Sequence, residues 1–141
     1  MPPTDLDPLE TICRRIALNI PDDCHWRWDR EFNLALTTIN SQDAVMVELP
    51  LAIEFAHQWD FTSIAEADGP VRDFFHAGVG VVPGQKVFTT DPVDDVILFV
   101  AWWPWGDDAR ISLRVGLMTA HPGAVDPAEA KTLLCNWLDI G

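Results

Sequence analysis

The sequence predicts an α+β fold, with helices packed on a mainly antiparallel sheet of about five strands. Two observations lead to this prediction. Apolar residues recur at helical spacing near both ends of the chain, whereas a period of two dominates much of the middle. The elements also do not alternate as helix and strand, as a parallel α/β sheet would require. We expect one domain over residues 1–141, with N- and C-terminal helices and one or two middle helices against one face of the sheet.

The first helix is predicted to begin at Asp7 and to end before Pro21. Asp7 suits the N-cap, Pro8 suits the first helical position, and Glu10 completes a pattern like a capping box. The apolar positions that follow at helical spacing are Leu9, Ile12, Cys13, Ile16, Ala17 and Ile20.

A hairpin is predicted next, because apolar and polar residues alternate on both sides of a polar turn at 40–43. The residues predicted to lie in its strands are Trp26, Trp28, Phe32, Leu34 and Leu36, then Val45, Val47 and Leu49. Helical spacing returns in the middle of the chain, at Leu51, Ala52, Phe55, Ala56 and Trp59 and again at Val71, Phe74 and Phe75 after Gly69-Pro70.

The last third predicts three strands and a helix. The strands are Lys86 to Thr90, Val96 to Trp103 and Arg110 to Met118, and the last two are joined by the turn Gly106-Asp107-Asp108. Asp126-Pro127 then opens a helix whose apolar stripe is Ala130, Leu133, Leu134, Trp137 and Leu138.

The charge balance restricts the class of ligand. The chain has 141 residues, and its 22 acidic residues against 9 Lys and Arg give a net charge of -13. Because 48% of the residues are hydrophobic, this acidity does not indicate disorder. It disfavours direct binding of DNA or RNA, and the longest apolar run, Val96 to Trp105, is too short to cross a membrane.

Cysteine usage and the N-terminus indicate a cytoplasmic protein. Cys13, Cys24 and Cys135 are an odd number at irregular spacing, which favours reduced thiols over a disulfide framework. The first ten residues hold three acids and none of the features of a secretory signal.

Tryptophan is the most unusual feature of the composition, with seven residues and no tyrosine. Trp102 and Trp103 are adjacent, so in a strand they face opposite sides of the sheet. The main expectation is that most tryptophans fill the core. The functional alternative is that an outward member of the pair forms a protein-binding anchor with Trp105 or Trp26.

The acids cluster in short turns, and we predict that Asp94, Asp95, Asp107 and Asp108 bind a basic partner. Their alternative role is solubility.

None of these turns has the spacing of a calcium loop, and no His or Cys spacing predicts a metal, so neither a metal nor a cofactor is expected. No catalytic signature is present, and an enzyme is not expected. The remaining candidates for a polar pocket are His57, Asp60 and His76.

The order helix, hairpin, helix, hairpin, helix in a small acidic chain resembles the bacterial type III secretion chaperones. The likeness is clearest from Val96 to Ile140, whereas Phe55, Trp59, Phe74 and Phe75 stand where that family has a leucine-rich middle helix. The resemblance implies a homodimer that binds an extended segment of a secreted effector and performs no chemistry.

Three hypotheses follow. The first is a non-enzymatic cytoplasmic protein that masks another bacterial protein, as an effector chaperone or as a toxin-immunity type of inhibitor. The second is a nucleic-acid mimic that blocks a DNA-binding defence protein, with carboxylates in place of phosphates. The third is a small ligand-binding or enzymatic domain.

Overall fold

The computed structural model describes residues 6–67, 69–75, 81–107, 109–119 and 125–140. These residues form four helices and one six-stranded antiparallel sheet, which confirms the α+β fold with one strand more than expected. The helices are α1 (Asp7–Leu18), α2 (Ala44–Glu54), α3 (Gly69–Phe74) and α4 (Pro127–Trp137). The strands are β1 (Arg27–Asp29), β2 (Leu34–Asn40), β3 (His57–Asp60), β4 (Lys86–Thr89), β5 (Val96–Pro104) and β6 (Arg110–Thr119). Their order across the sheet is β1-β2-β6-β5-β4-β3.

The helices divide between the two faces of the sheet. On the first face, α1, α2 and α4 pack over a core that includes Leu9, Leu51, Leu98 and Leu134. On the second face, α3 and the residue after it pack over a smaller core that includes Phe75 and Phe99. The expectation that all helices lie against one face is therefore wrong, because α3 covers the opposite side.

The two long central strands follow the predicted patterns. Residues 96–103 of β5 are all buried because both faces of this strand are covered. In β6, Ile111, Leu113 and Val115 enter the first core, whereas Ser112 and Arg114 face the other side. Successive side chains of β6 therefore alternate between the two faces of the sheet.

The two terminal helices begin differently. At α4, Oδ1 of Asp126 accepts a hydrogen bond from the backbone N–H of Glu129 at 2.8 Å, which confirms the predicted cap. At α1, the helix begins at Asp7 and Leu6 occupies the N-cap position, so the predicted cap is wrong by one residue. Glu10 pairs with Arg14 at 2.7 Å, one turn along the helix.

Residues 44–60 differ most from the prediction. The segment predicted as a strand at Val45–Leu49 belongs to helix α2, and the predicted helix through Trp59 ends at Glu54 and is followed by strand β3. Apart from Glu48 and Glu54, every residue of α2 is apolar. A helix that is apolar all round also has apolar residues at alternate positions, so the period of two was ambiguous.

Within the described ranges, none of the four helices has both the length and the apolar character needed to cross a bilayer.

Candidate protein-binding surfaces

Three side chains from different elements meet on the second face of the sheet, beside the area that α3 covers. Trp103 of β5 and Phe32 of the β1–β2 turn make an edge-to-face contact, with ring centroids 6.0 Å apart. The guanidinium carbon of Arg114 lies 4.4 Å from the centroid of Trp103 and 5.3 Å from that of Phe32. Because each ring attracts the cation, the three side chains hold one another in place.

Arg114 is also tied to the edge of the sheet. Its Nε donates to Oδ2 of Asp29 at 3.2 Å, and the two side chains are only 16% and 13% exposed. Asp29 lies on the three-residue edge strand β1, so this ion pair joins that edge to the central strand β6. The cation of Arg114 is therefore neutralised within the chain.

Trp105 extends this aromatic region toward solvent. It is 40% exposed, its Nε1 donates to Oγ of Ser112 at 2.6 Å, and Arg110 lies 4.2 Å from its ring centroid. Arg110 in turn donates to Oδ2 of Asp107 at 3.0 Å. Hydrogen bonds from the backbone N–H of Ala109 and from Arg110 hold the pKa of Asp107 below its usual value. We call Phe32, Trp103, Trp105, Arg110 and Arg114 the aromatic surface.

The predicted tryptophans are divided between the two faces. Trp102 is 4% exposed and lies in the first core, and Trp26 packs against that core from its edge. Trp103 lies on the second face, where its Nε1 is buried without a hydrogen-bond partner among the described residues. Buried donors are normally paired, and the unpaired N–H of Trp103 is an exception that lies within the aromatic surface.

A groove runs from Phe32 around the end of β6, between α3 on the second face of the sheet and α4 on the first. Its volume is about 710 Å³, within the range of small-ligand and side-chain sites. Phe74, Met118 and Leu134 supply apolar lining, and Asp73 and Asp126 supply carboxylates. Among the described lining residues there is no Lys or Arg, although Arg72 lies 3.6 Å from Asp73.

The predicted acidic residues are not brought together. Asp94 and Asp95 occupy the turn before β5, with φ of 49° and 67°, whereas Asp107 follows the other end of that strand. At about 3.3 Å per residue, these two ends are roughly 30 Å apart. Asp108 lies outside the described residues.

Helix α2 presents a second exposed surface, on the first face of the sheet. Val45, Met46, Leu49 and Ile53 are between 58% and 78% exposed. Their spacing places them on one side of the helix, opposite the buried Val47 and Leu51. We call these four exposed residues the α2 stripe. The α2 stripe was not predicted from the sequence. The feature that indicates it there is the presence of nine apolar residues in an eleven-residue helix.

The residues considered for a polar pocket do not converge. His57 Nε2 lies 2.7 Å from Oδ1 of Asp91 and its ring stacks on Trp59, whereas Asp60 accepts hydrogen bonds from Thr62 and Ser63. Positions 57 and 60 of a strand face opposite sides of the sheet. His76 lies outside the described residues. Within the described ranges, no group of three or more His, Cys, Asp or Glu side chains has the geometry of a metal site.

No protein-family model matches the chain, and no curated protein and no solved structure does so either.

Proposed function

We propose that this protein binds and masks another protein, performing no chemistry on it, and that the partner docks on the aromatic surface. The observation that carries this proposal is the exposure of Phe32 and Trp105, at 37% and 40%, on side chains that are already held in place. Trp and Arg are the residues most enriched at binding hot spots. Anchors fixed before binding lose little conformational entropy when the partner arrives.

The adjoining groove supports an extended partner segment. Arg110 and Arg114 of β6 belong to the aromatic surface, and Met118 of the same strand lines the groove. The two sites therefore lie in line along β6. A segment of about eight extended residues spans the roughly 26 Å from Arg110 to Met118 at about 3.3 Å per residue. This geometry favours the chaperone version of the masking hypothesis over an inhibitor that covers a folded surface.

The charge of the groove supports a basic segment. Asp126 is exposed in the groove, as is Asp73 beside Arg72, and the chain as a whole has a net charge of -13. The guanidinium groups of the aromatic surface are paired with Asp29 and Asp107, so they do not repel a basic partner. Such complementarity raises the rate of association and selects among partners.

The test begins with capture of the partner by the tagged protein from its native host at moderate salt. The purified complex is then measured by titration calorimetry. We expect Phe32→Ala and Trp105→Ala each to weaken binding about 10- to 100-fold, as truncation of hot-spot residues does. The matched control is Phe61→Ala, a 53% exposed aromatic outside the surface and the groove, and it should bind like the wild type. Near-ultraviolet circular dichroism verifies that each variant folds.

The proposal fails if the wild-type protein elutes without a stoichiometric partner. It also fails if Phe32→Ala and Trp105→Ala bind with unchanged affinity, because the partner then docks elsewhere.

A further inference from the structure

The α2 stripe is unusual for a helix at a protein surface. A helix that is apolar all round is normally buried on all sides, but α2 buries only the side that carries Val47 and Leu51. The four residues of the stripe expose roughly 500 Å² of apolar surface, which is as large as the largest patch on a typical monomer. Leu18, near the end of α1, is also exposed, at 84%. This surface has the character of an interface.

The charges beside the stripe indicate which partner it suits. The two charged residues of α2 are both paired: Glu48 with Lys86 of β4, and Glu54 with Arg15 of α1 at 3.4 Å. Two of the nine Lys and Arg residues of the chain are therefore used to neutralise this helix. Because the charges beside the stripe are already paired, a basic partner gains no electrostatic attraction from them. An acidic partner, in turn, is not repelled by them.

We propose that the α2 stripe is the interface of a symmetric homodimer, so that its occupant is a second copy of this chain. In this dimer the two-fold axis lies perpendicular to α2, so that the same surface pairs on both copies and the two α2 helices run antiparallel. Leu49 then lies near the axis, and Val45 faces Ile53 of the second copy. Complete burial of both stripes removes roughly 1,000 Å² of apolar surface from water, which reaches the lower limit of a specific interface.

This dimer is independent of the proposed function, because α2 and the aromatic surface lie on opposite faces of the sheet. Each copy in the dimer keeps its aromatic surface accessible. A monomeric variant should therefore still bind the partner segment, and the two proposals can fail separately.

The first test is the mass of the purified chain by light scattering at about 50 μM. We expect twice the 15.8 kDa of one chain for the wild type, and 15.8 kDa for Leu49→Glu and Val45→Glu. The matched control is Val82→Glu, the same change at a 53% exposed valine outside the stripe, and it should stay dimeric. A monomeric wild type, or a Leu49→Glu variant that folds and remains dimeric, overturns the proposal.

The second test examines the two-fold axis. Under mild oxidation, Leu49→Cys should form a disulfide between copies, because only residues near the axis meet their own counterparts. Ile53→Cys should not, since a disulfide requires Cα atoms within about 7 Å. Background from Cys24 and Cys135, which are partly accessible, is measured with the wild-type chain. Equal cross-linking of both variants, or of Ile53→Cys alone, contradicts the antiparallel arrangement.

Discussion

Arg114 donates to Asp29 across the second face of the sheet, and this 3.2 Å ion pair holds the short edge strand β1 against the core of the molecule. β1 contributes only three residues to the sheet, so its backbone hydrogen bonds alone hold it weakly. The same guanidinium lies against the rings of Trp103 and Phe32. Arg114 therefore links the stability of this edge to the shape of the aromatic surface.

Loss of Asp29 should leave the Arg114 cation largely buried without its counter-charge. We expect Asp29→Ala to lower the free energy of unfolding by about 2 kcal/mol, below the full effect of a completely buried pair because both side chains retain some contact with water. Urea unfolding measures this loss in the free energy of unfolding. In the double variant Asp29→Leu/Arg114→Met, where both charges are removed, at least half of the loss should be recovered. A double variant less stable than Asp29→Ala would show that the ion pair is not the cause.

Gly116 of β6 is a position where any side chain collides with the second core. A Cβ added there would lie 2.5 Å from Cδ2 of Leu34 and 2.5 Å from Cζ of Phe99. We expect Gly116→Ala to lower the free energy of unfolding by about 2 to 3 kcal/mol, since overpacking forces side chains and backbone to shift. Gly106→Ala is the control, because an added Cβ meets nothing within 4 Å there. Equal urea midpoints for the two variants would contradict the close packing at Gly116.

Asp126 stabilises α4 by accepting the backbone N–H of Glu129. Replacement by Ala removes this acceptor, and we expect a loss of about 1 kcal/mol in the free energy of unfolding. Asn also caps helices well, so Asp126→Asn should stay within a few tenths of a kcal/mol of the wild type. Thermal unfolding of the two variants side by side separates the effect of the hydrogen bond from that of the charge.

Cys13 should behave differently from the other two thiols. Burial raises the pKa of Cys13 from 9.0 to about 12, so at pH 8 it stays neutral and unreactive. We expect a thiol reagent at pH 8 to modify Cys24 and Cys135 in the folded chain and Cys13 only after unfolding. Rapid modification of all three thiols in the native protein would show that the first core is open at α1.

The same raised pKa gives a stability effect with a definite sign. As the pH rises, the unfolded chain releases the Cys13 proton near pH 9, whereas the folded chain retains it to about pH 12. The contribution of Cys13 to stability is therefore complete below pH 9 and is lost progressively between pH 9 and 12. Denaturant midpoints measured across this range should decline more steeply for the wild type than for Cys13→Ala.

The sequence was sufficient for those elements whose pattern has one interpretation. In β6, alternate residues differ in polarity, and in α4 a capping Asp precedes a clear apolar stripe, so both were predicted correctly. Helix α2 was not, because Val45, Val47 and Leu49 fit a strand as well as a helix. Only the pairing of residues 57–60 with β4 decides where the helix must end.

The aromatic surface could be predicted only in part. The alternation of β5 placed Trp102 and Trp103 on opposite faces, but which face each occupies depends on where the helices pack. Phe32 was missed as a surface residue because its contact with Trp103 arises from a turn that brings distant parts of the chain together. Asp29 and Arg114 are 85 positions apart, and nothing local in the sequence pairs them.

The most direct test of partner binding at the aromatic surface is hydrogen–deuterium exchange of the chain with and without its purified partner. We expect slower exchange of the backbone amides around Phe32 and from Trp103 to Ser112, and unchanged exchange in α1. Partner-induced protection confined to α1 or to the turn at Asp94 and Asp95, with the aromatic surface unaffected, would contradict it.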